Sequence, residues 1–273
     1  MTDEGVEGWA DAIEEVVAHT RFDAGLVRVF ESCRSTQDPA RDLGVGAVVT
    51  TGIQTDGRGR LGREWIDAEG DGIAVSLGII PTDPAVLSIA AGLAVLETLR
   101  GFALPGTGAR IGLKFPNDVV DRETGRKFAG MLVEADPSVA VLGIGVNVRT
   151  PRTEVDAPAI AIDELVSGDA TPSRLVMLLD LLHRLDRVLD LDTGSLRTRY
   201  AQEHAPTGRS VQLESNGTVY EGRLESLDPF GSVTLVEAGT NTIREFTASQ
   251  IRLERWQAGG RDRRLESGGG RDR

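Results

Sequence analysis

The chain has 273 residues, 40% of them hydrophobic, a net charge of −12 and a single cysteine, Cys33. That is enough for one large domain with a real core plus a small one, and one cysteine excludes an internal disulfide and favours a reducing cytoplasm. The acidic balance excludes a broad nucleic-acid surface, no apolar run approaches the length of a membrane span, and the acidic start is unlike a secretory signal.

Residues 1–25 read as an N-terminal extension with a short amphipathic helix at DAIEEVVAHT. LVRVF and GAVVTT then read as strands, and STQDPARDL between them as a helix opened by a Ser/Thr cap. GIAVSLGII is a buried strand, and TDPAVLSIAAGLAVLETLRGF a buried helix with Asp83 as cap and Pro84 in its first turn. Three strands follow, Arg110–Phe115, Lys127–Glu134 and Val139–Val148, joined by turns at DRETG and DPS; such short connections make them antiparallel. This disfavours a Rossmann-type parallel sheet. After a Pro/Asp-rich loop over 150–170, TPSRLVMLLDLLHRLDRVLD is a strong helix and Leu196–Glu203 a shorter one. The expected catalytic domain is thus 26–205. Residues 206–256 alternate in five short strands typical of a small β-barrel, and 257–273 is a low-complexity, disordered tail.

Two features point to an anion. Of 30 basic residues only Lys114 and Lys127 are lysines, which suggests sites needing a compact ammonium; high-GC codon usage accounts for the same bias. TDGRGRLGR, residues 55–63, sets three glycines and three arginines into nine positions. Glycines let backbone amides approach an anion and arginine supplies a fixed fork of donors, so we read a flap ending at Trp65. The bland alternative is a solvated turn.

Four further stretches carry weaker signals. KFPND presents Asn117 and Asp118 at a turn, and RKFAGMLVE starts a strand with Lys127 and offers Gly130 for close approach. GIGVNV puts two glycines into a central strand beside Asn147, and STQ places Ser35, Thr36 and Gln37 at a helix start. Cys33, His19, His183 and His204 form no motif, and no metal-ligating cluster is read.

In this order and spacing the motifs resemble the biotin protein ligase family, from about Val27 to Arg255; Phe115 stands where that family usually has tryptophan. The resemblance implies an α+β fold: a mixed, largely antiparallel sheet flanked by helices, like the class II aminoacyl-tRNA synthetases, plus an SH3-like C-terminal barrel. It implies activation of biotin by MgATP to biotinyl-5′-AMP and transfer to a lysine of a biotin carboxyl carrier domain, with Lys127 and Arg58 catalytic. Ser35, Thr36, Gln37, Gln54, Arg58, Gly59, Arg60, Trp65, Lys127 and Gly130 would bind biotin. Arg58, Arg60, Arg63, Asn117, Lys127 and Asn147 would lie on the nucleotide side. Bifunctional members carry a helix-turn-helix domain, for which the extension here is too short, so no specific DNA binding is expected; a homodimer through the central sheet is. The rival readings are a lipoate or octanoate ligase on the same fold, disfavoured by GRGRLGR, and a non-catalytic biotin-binding regulator, against which intact Lys127 and Arg58 speak.

Overall fold

The computed structural model of the protein describes residues 5–65, 70–150, 159–166 and 171–257; the expected tail and most of the expected 150–170 loop lie outside these. The first half contains α1 (Trp9–Val17), β1 (Val27–Cys33), α2 (Gln37–Leu43), β2 (Val48–Gln54), β3 (Gly57–Arg58), β4 (Glu64–Trp65), β5 (Gly72–Ile79) and α3 (Pro84–Phe102). Then come β6 (Ile111–Lys114), β7 (Asp118–Asp121), β8 (Lys127–Ala135), β9 (Ala140–Asn147), α4 (Arg174–Val188) and α5 (Thr193–Glu203). The chain closes with β10 (Ser210–Ser215), β11 (Thr218–Leu227), β12 (Ser232–Glu237), β13 (Ile243–Thr247) and β14 (Ile251–Trp256).

Seven strands form one sheet in the order β1-β2-β5-β9-β8-β7-β6. β1 and β2 are parallel because α2 lies between them as a crossover; every other pair is antiparallel. The sheet is mixed and the fold α+β.

Strand alternation divides the two faces. Leu142, Ile144 and Val146 of β9 join the main core with α3 and α4, whereas Val141 packs with Ala40 of α2. With a side-chain period of two, Gly143 and Gly145 therefore share the α2 face with Val141. One face of the sheet builds the core and the other is left for α2 and the cleft below.

Asp83 Oδ1 accepts from the Ala85 amide at 2.8 Å with Pro84 opening α3, as its sequence predicts. By length and composition α3 does pass for a membrane span, contrary to the expectation above. Its apolar surface is instead buried all round, Leu87, Leu93 and Leu99 included, between the sheet and α4. The helix of the N-terminal extension does not stand apart either. It begins at Trp9, and Trp9, Ile13 and Val17 enter the main core.

The sequence reading omits β7. Its four residues DVVD carry aspartates at both ends, which are poor strand formers and hide the buried pair Val119 and Val120. The DRETG turn therefore joins β7 to β8, not β6 to β8, and the expected direct pairing of β6 with β8 does not occur. Asp121 tolerates complete burial because Arg110 and Thr124 both donate to it, at 2.7 and 2.6 Å.

The five C-terminal strands occur as expected, as an antiparallel sheet in the order β13-β12-β11-β10-β14. His204 sits where it joins the rest of the fold, bridged to Leu113 and bonded through Nδ1 to Thr207 Oγ1 at 2.9 Å. Burial, reinforced by the Arg122 and Lys114 charges, pushes its pKa down to about 3.

Two measurements probe this packing. Leu99→Ala should lower the unfolding free energy by about 2–5 kcal/mol, read from urea denaturation. The neutral His204 ring contributes stability that is complete above its unfolded pKa of about 6.5 and is lost as pH falls toward about 3. Thermal melts near pH 7 and about pH 4 should show a shallower acid loss in His204→Asn than in the wild type.

Candidate active site

The site is built on absent side chains. Gly130 of β8 pairs with Gly145 of β9, and Gly143 lies two residues away on the same face. A Cβ on Gly145 would run into the Trp65 indole, and one on Gly130 into Lys127 Nζ. A Cβ on Gly143 would stand 2.6 Å from Gln37 Nε2. Glycines that weaken a central strand are therefore required here by close approach.

At one end of this floor five polar side chains are buried together: Ser35, Thr36, Gln37, Gln54 and Ser76. Gln54 Oε1 accepts from the Thr36 amide at 3.0 Å, and the Thr36 and Ser76 hydroxyls lie 2.7 Å apart. The expected Ser/Thr cap of α2 is thus only partly realised. The Thr36 hydroxyl turns inward instead of capping, and Ser35 Oγ accepts from the Gln37 amide at a long 3.4 Å. Gln37 Oε1 is buried with no hydrogen-bond partner among the described residues.

The other end is cationic. Lys127 Nζ lies 2.7 Å from Asp118 Oδ1 and 5.5 Å from the centre of the Trp65 ring. Asn117 fixes this corner, donating from Nδ2 to the Met131 carbonyl at 2.8 Å and accepting from Arg60 at 3.2 Å. Lys114 faces Asp118 across the β6–β7 pair. Burial lowers the Lys114 pKa, Asp118 opposes that, and the charges of Lys127 and Arg63 add to it.

Between the two ends stands the flap. β3 and β4 form a hairpin in which Gly57 pairs with Trp65, and the Gly59 amide donates to the Arg63 carbonyl at 2.7 Å. Gly62 turns with φ of +73°, a conformation that glycine adopts without strain. Arg58 reaches Asp38 Oδ1 at 2.6 Å and Glu134 Oε2 at 3.5 Å.

Ser35, Thr36, Gln37, Gln54, Arg58, Gly59, Arg60, Trp65, Asn117, Lys127 and Gly130 all line one cleft. Two expected residues do not. Arg63 is exposed on the flap, and Asn147 Nδ2 instead donates to the carbonyls of Lys127 and Ile160 at 2.9 and 3.3 Å, bracing the start of β8. The sequence reading also passed over Asp118 as a partner for Lys127, and over Ser76. The signal for Ser76 was one hydroxyl in an otherwise apolar strand. With the indole across the floor the cleft measures about 60 Å³, below the 300 Å³ or more typical of a small-molecule site.

A model of the Biotin/lipoate A/B protein ligase family matches residues 29–150. The biotin–[acetyl-CoA-carboxylase] ligase of Mycobacterium tuberculosis is 35% identical over 208 residues, 72% of this chain and 76% of that protein. The chain belongs to the biotin protein ligase family. The enzyme of the same name from Paracoccus denitrificans is 39% identical over 212 residues, 72% of this ligase and 86% of that one. The structure of the biotin protein ligase from Aquifex aeolicus in complex with biotin and ATP superposes with a TM-score of 0.71 at 25% identity, covering 84% of this chain and 98% of that chain.

The glycine floor makes a direct prediction for this ligase. Gly145→Ala should leave the strand paired but lift Trp65 off β9, because the new methyl occupies the indole's place. Its tryptophan emission should change toward that of Trp65→Phe; an emission identical to wild type would show that the indole does not rest there.

Proposed function

We propose that this chain activates biotin with ATP and transfers it to a lysine of a biotin carboxyl carrier domain. The biotin carboxylate attacks the α-phosphorus, pyrophosphate leaves, and biotinyl-5′-AMP forms. The carrier lysine's amine then attacks the acyl carbon, AMP leaves, and an amide results. One observation carries this reading: a buried, uncharged polar cluster and a single ammonium share a glycine-paved cleft. The polar cluster suits the ureido head of biotin, and the orphan Gln37 Oε1 suits one of its N–H groups. Lys127 suits the junction of carboxylate and α-phosphate, where two anions must meet and preorganised positive charge lowers the barrier. Asn117 and Arg60 extend the cleft toward the nucleotide, and the flap shields the mixed anhydride from water.

The residues fit Mg²⁺ brought in on ATP, for Asp118 would supply one carboxylate while phosphates and water complete the shell. The ion would neutralise charge on the phosphates. Arg63 and Asn147 act outside the cleft in this reading, at the flap surface and under Lys127. The same proposal takes the seven-stranded sheet as class II synthetase-like, the C-terminal sheet as an SH3-like barrel, and the chain as a cytoplasmic homodimer without specific DNA affinity, in keeping with its net charge of −12.

ATP–pyrophosphate exchange with biotin, lipoate and octanoate offered separately tests this reading. Exchange is expected with biotin alone; exchange driven by lipoate or octanoate instead would overturn it. Lys127→Arg should lower biotin-dependent exchange about a hundredfold without unfolding the protein, since a longer planar guanidinium misplaces the charge at the reacting junction.

A further inference from the structure

We propose that Asp38 and Glu134, two carboxylates to which the sequence assigns no role, are positioning residues that latch the flap through Arg58. The inference rests on the biotin ligase reading. Arg58 lies at the root of the flap, and its Nη2 donates to Asp38 Oδ1 at 2.6 Å and more weakly to Glu134 Oε2 at 3.5 Å. Asp38 sits in α2, directly after the Ser35–Gln37 segment of the polar pocket, and Glu134 lies in β8, seven residues beyond Lys127. The latch therefore ties the flap at once to the helix of the polar pocket and to the strand of the reactive ammonium. Arg41 donates to Glu134 at 2.7 Å and holds that carboxylate in place.

The charge of Arg58 is thus met by carboxylates of α2 and β8, outside the reacting corner, whereas the ammonium of Lys127 pairs with Asp118 within that corner. This separates their roles. Arg58 closes the site and Lys127 serves the chemistry.

The position of the pair adds a consequence. A second cavity of about 280 Å³ lies beside the cleft, lined in part by Cys33, Asp38, Pro39 and Asp56. Ser35 and Arg58 line both spaces. Arg58 stands at the boundary of the two with Asp38 on the side of the second, so releasing the pair would loosen that boundary and let the adenylate leave. Strength matters here. Arg58 and Asp38 are 38% and 59% exposed, so their pair shifts an equilibrium by only up to about fivefold. Such a latch closes the flap yet lets substrates enter and product leave.

Asp38→Asn and Glu134→Gln keep the shape of each side chain and remove its charge. Each should raise streptavidin-detected biotinylation of a bystander protein such as albumin by about three- to fivefold, with single-turnover adenylate formation within about twofold of wild type. Arg58→Ala should raise it likewise, and adding Glu134→Gln to Arg58→Ala should raise it no further, because both remove one interaction. Salt up to about 0.5 M should raise labelling by wild type toward the variants' level, since it screens exposed pairs. A readout independent of turnover is amide exchange across 57–65, which should quicken in both carboxylate variants. Unchanged exchange, additive effects in the double variant, or loss of adenylate formation in Glu134→Gln would each overturn the latch. A wild type that forms no adenylate would instead overturn the functional reading, leaving amide exchange to judge the latch.

Discussion

The cleft exists because three positions on one face of the sheet have no Cβ. Gly130, Gly143 and Gly145 let Lys127, Gln37 and Trp65 lie directly against backbone. Any side chain there would lift the indole, displace the amide or push the ammonium aside, and the other contacts of the site are arranged around those three groups. Neighbouring strands sit about 4.8 Å apart, so the three glycines form one continuous bare patch instead of scattered gaps.

This patch is affordable because the opposite face does the stabilising. The same strands that carry the glycines turn Leu142, Ile144 and Val146 toward α3 and α4. α3 has no solvent face to speak of, which is why its composition mimics a membrane span. The alternation of a strand thus assigns stability to one side and chemistry to the other, residue by residue.

Charge is divided with similar economy. Arginine serves where a carboxylate must be gripped in a fixed plane: Arg126 forks onto Glu164 at 2.6 and 2.7 Å, and Arg100 onto Glu203 at 2.6 and 2.8 Å. The two lysines, by contrast, converge on Asp118 at the edge of the cleft. A compact ammonium can be shared between a carboxylate and an incoming anion by a small movement, which a bidentate guanidinium pair resists. The bias seen in composition thereby acquires a location.

Local chemistry made the motifs legible in the sequence. Glycine and arginine at short range, Asp83 before Pro84, and five alternating strands near the C-terminus act within a few residues of themselves, and the structure carries all of them. The eleven expected residues that line the cleft were readable for the same reason. What the sequence did not show depended on partners far along the chain. Thr36 looks like a helix cap until Ser76, forty positions on, takes its hydroxyl. Arg58 reads as one member of a local Gly/Arg motif, and its partners Asp38 and Glu134 stand 20 and 76 positions away. Asn147 looks like a base reader until the carbonyls of Lys127 and Ile160 occupy its amide. β7 reads as a turn until β6 and β8 pair with it on either side. The sequence by itself determined which chemical groups the cleft would hold, because residue type is local. Only the tertiary structure decided which of them face the cleft and which are spent on the protein, because a side chain's partner is set by the strand or helix that the fold brings beside it.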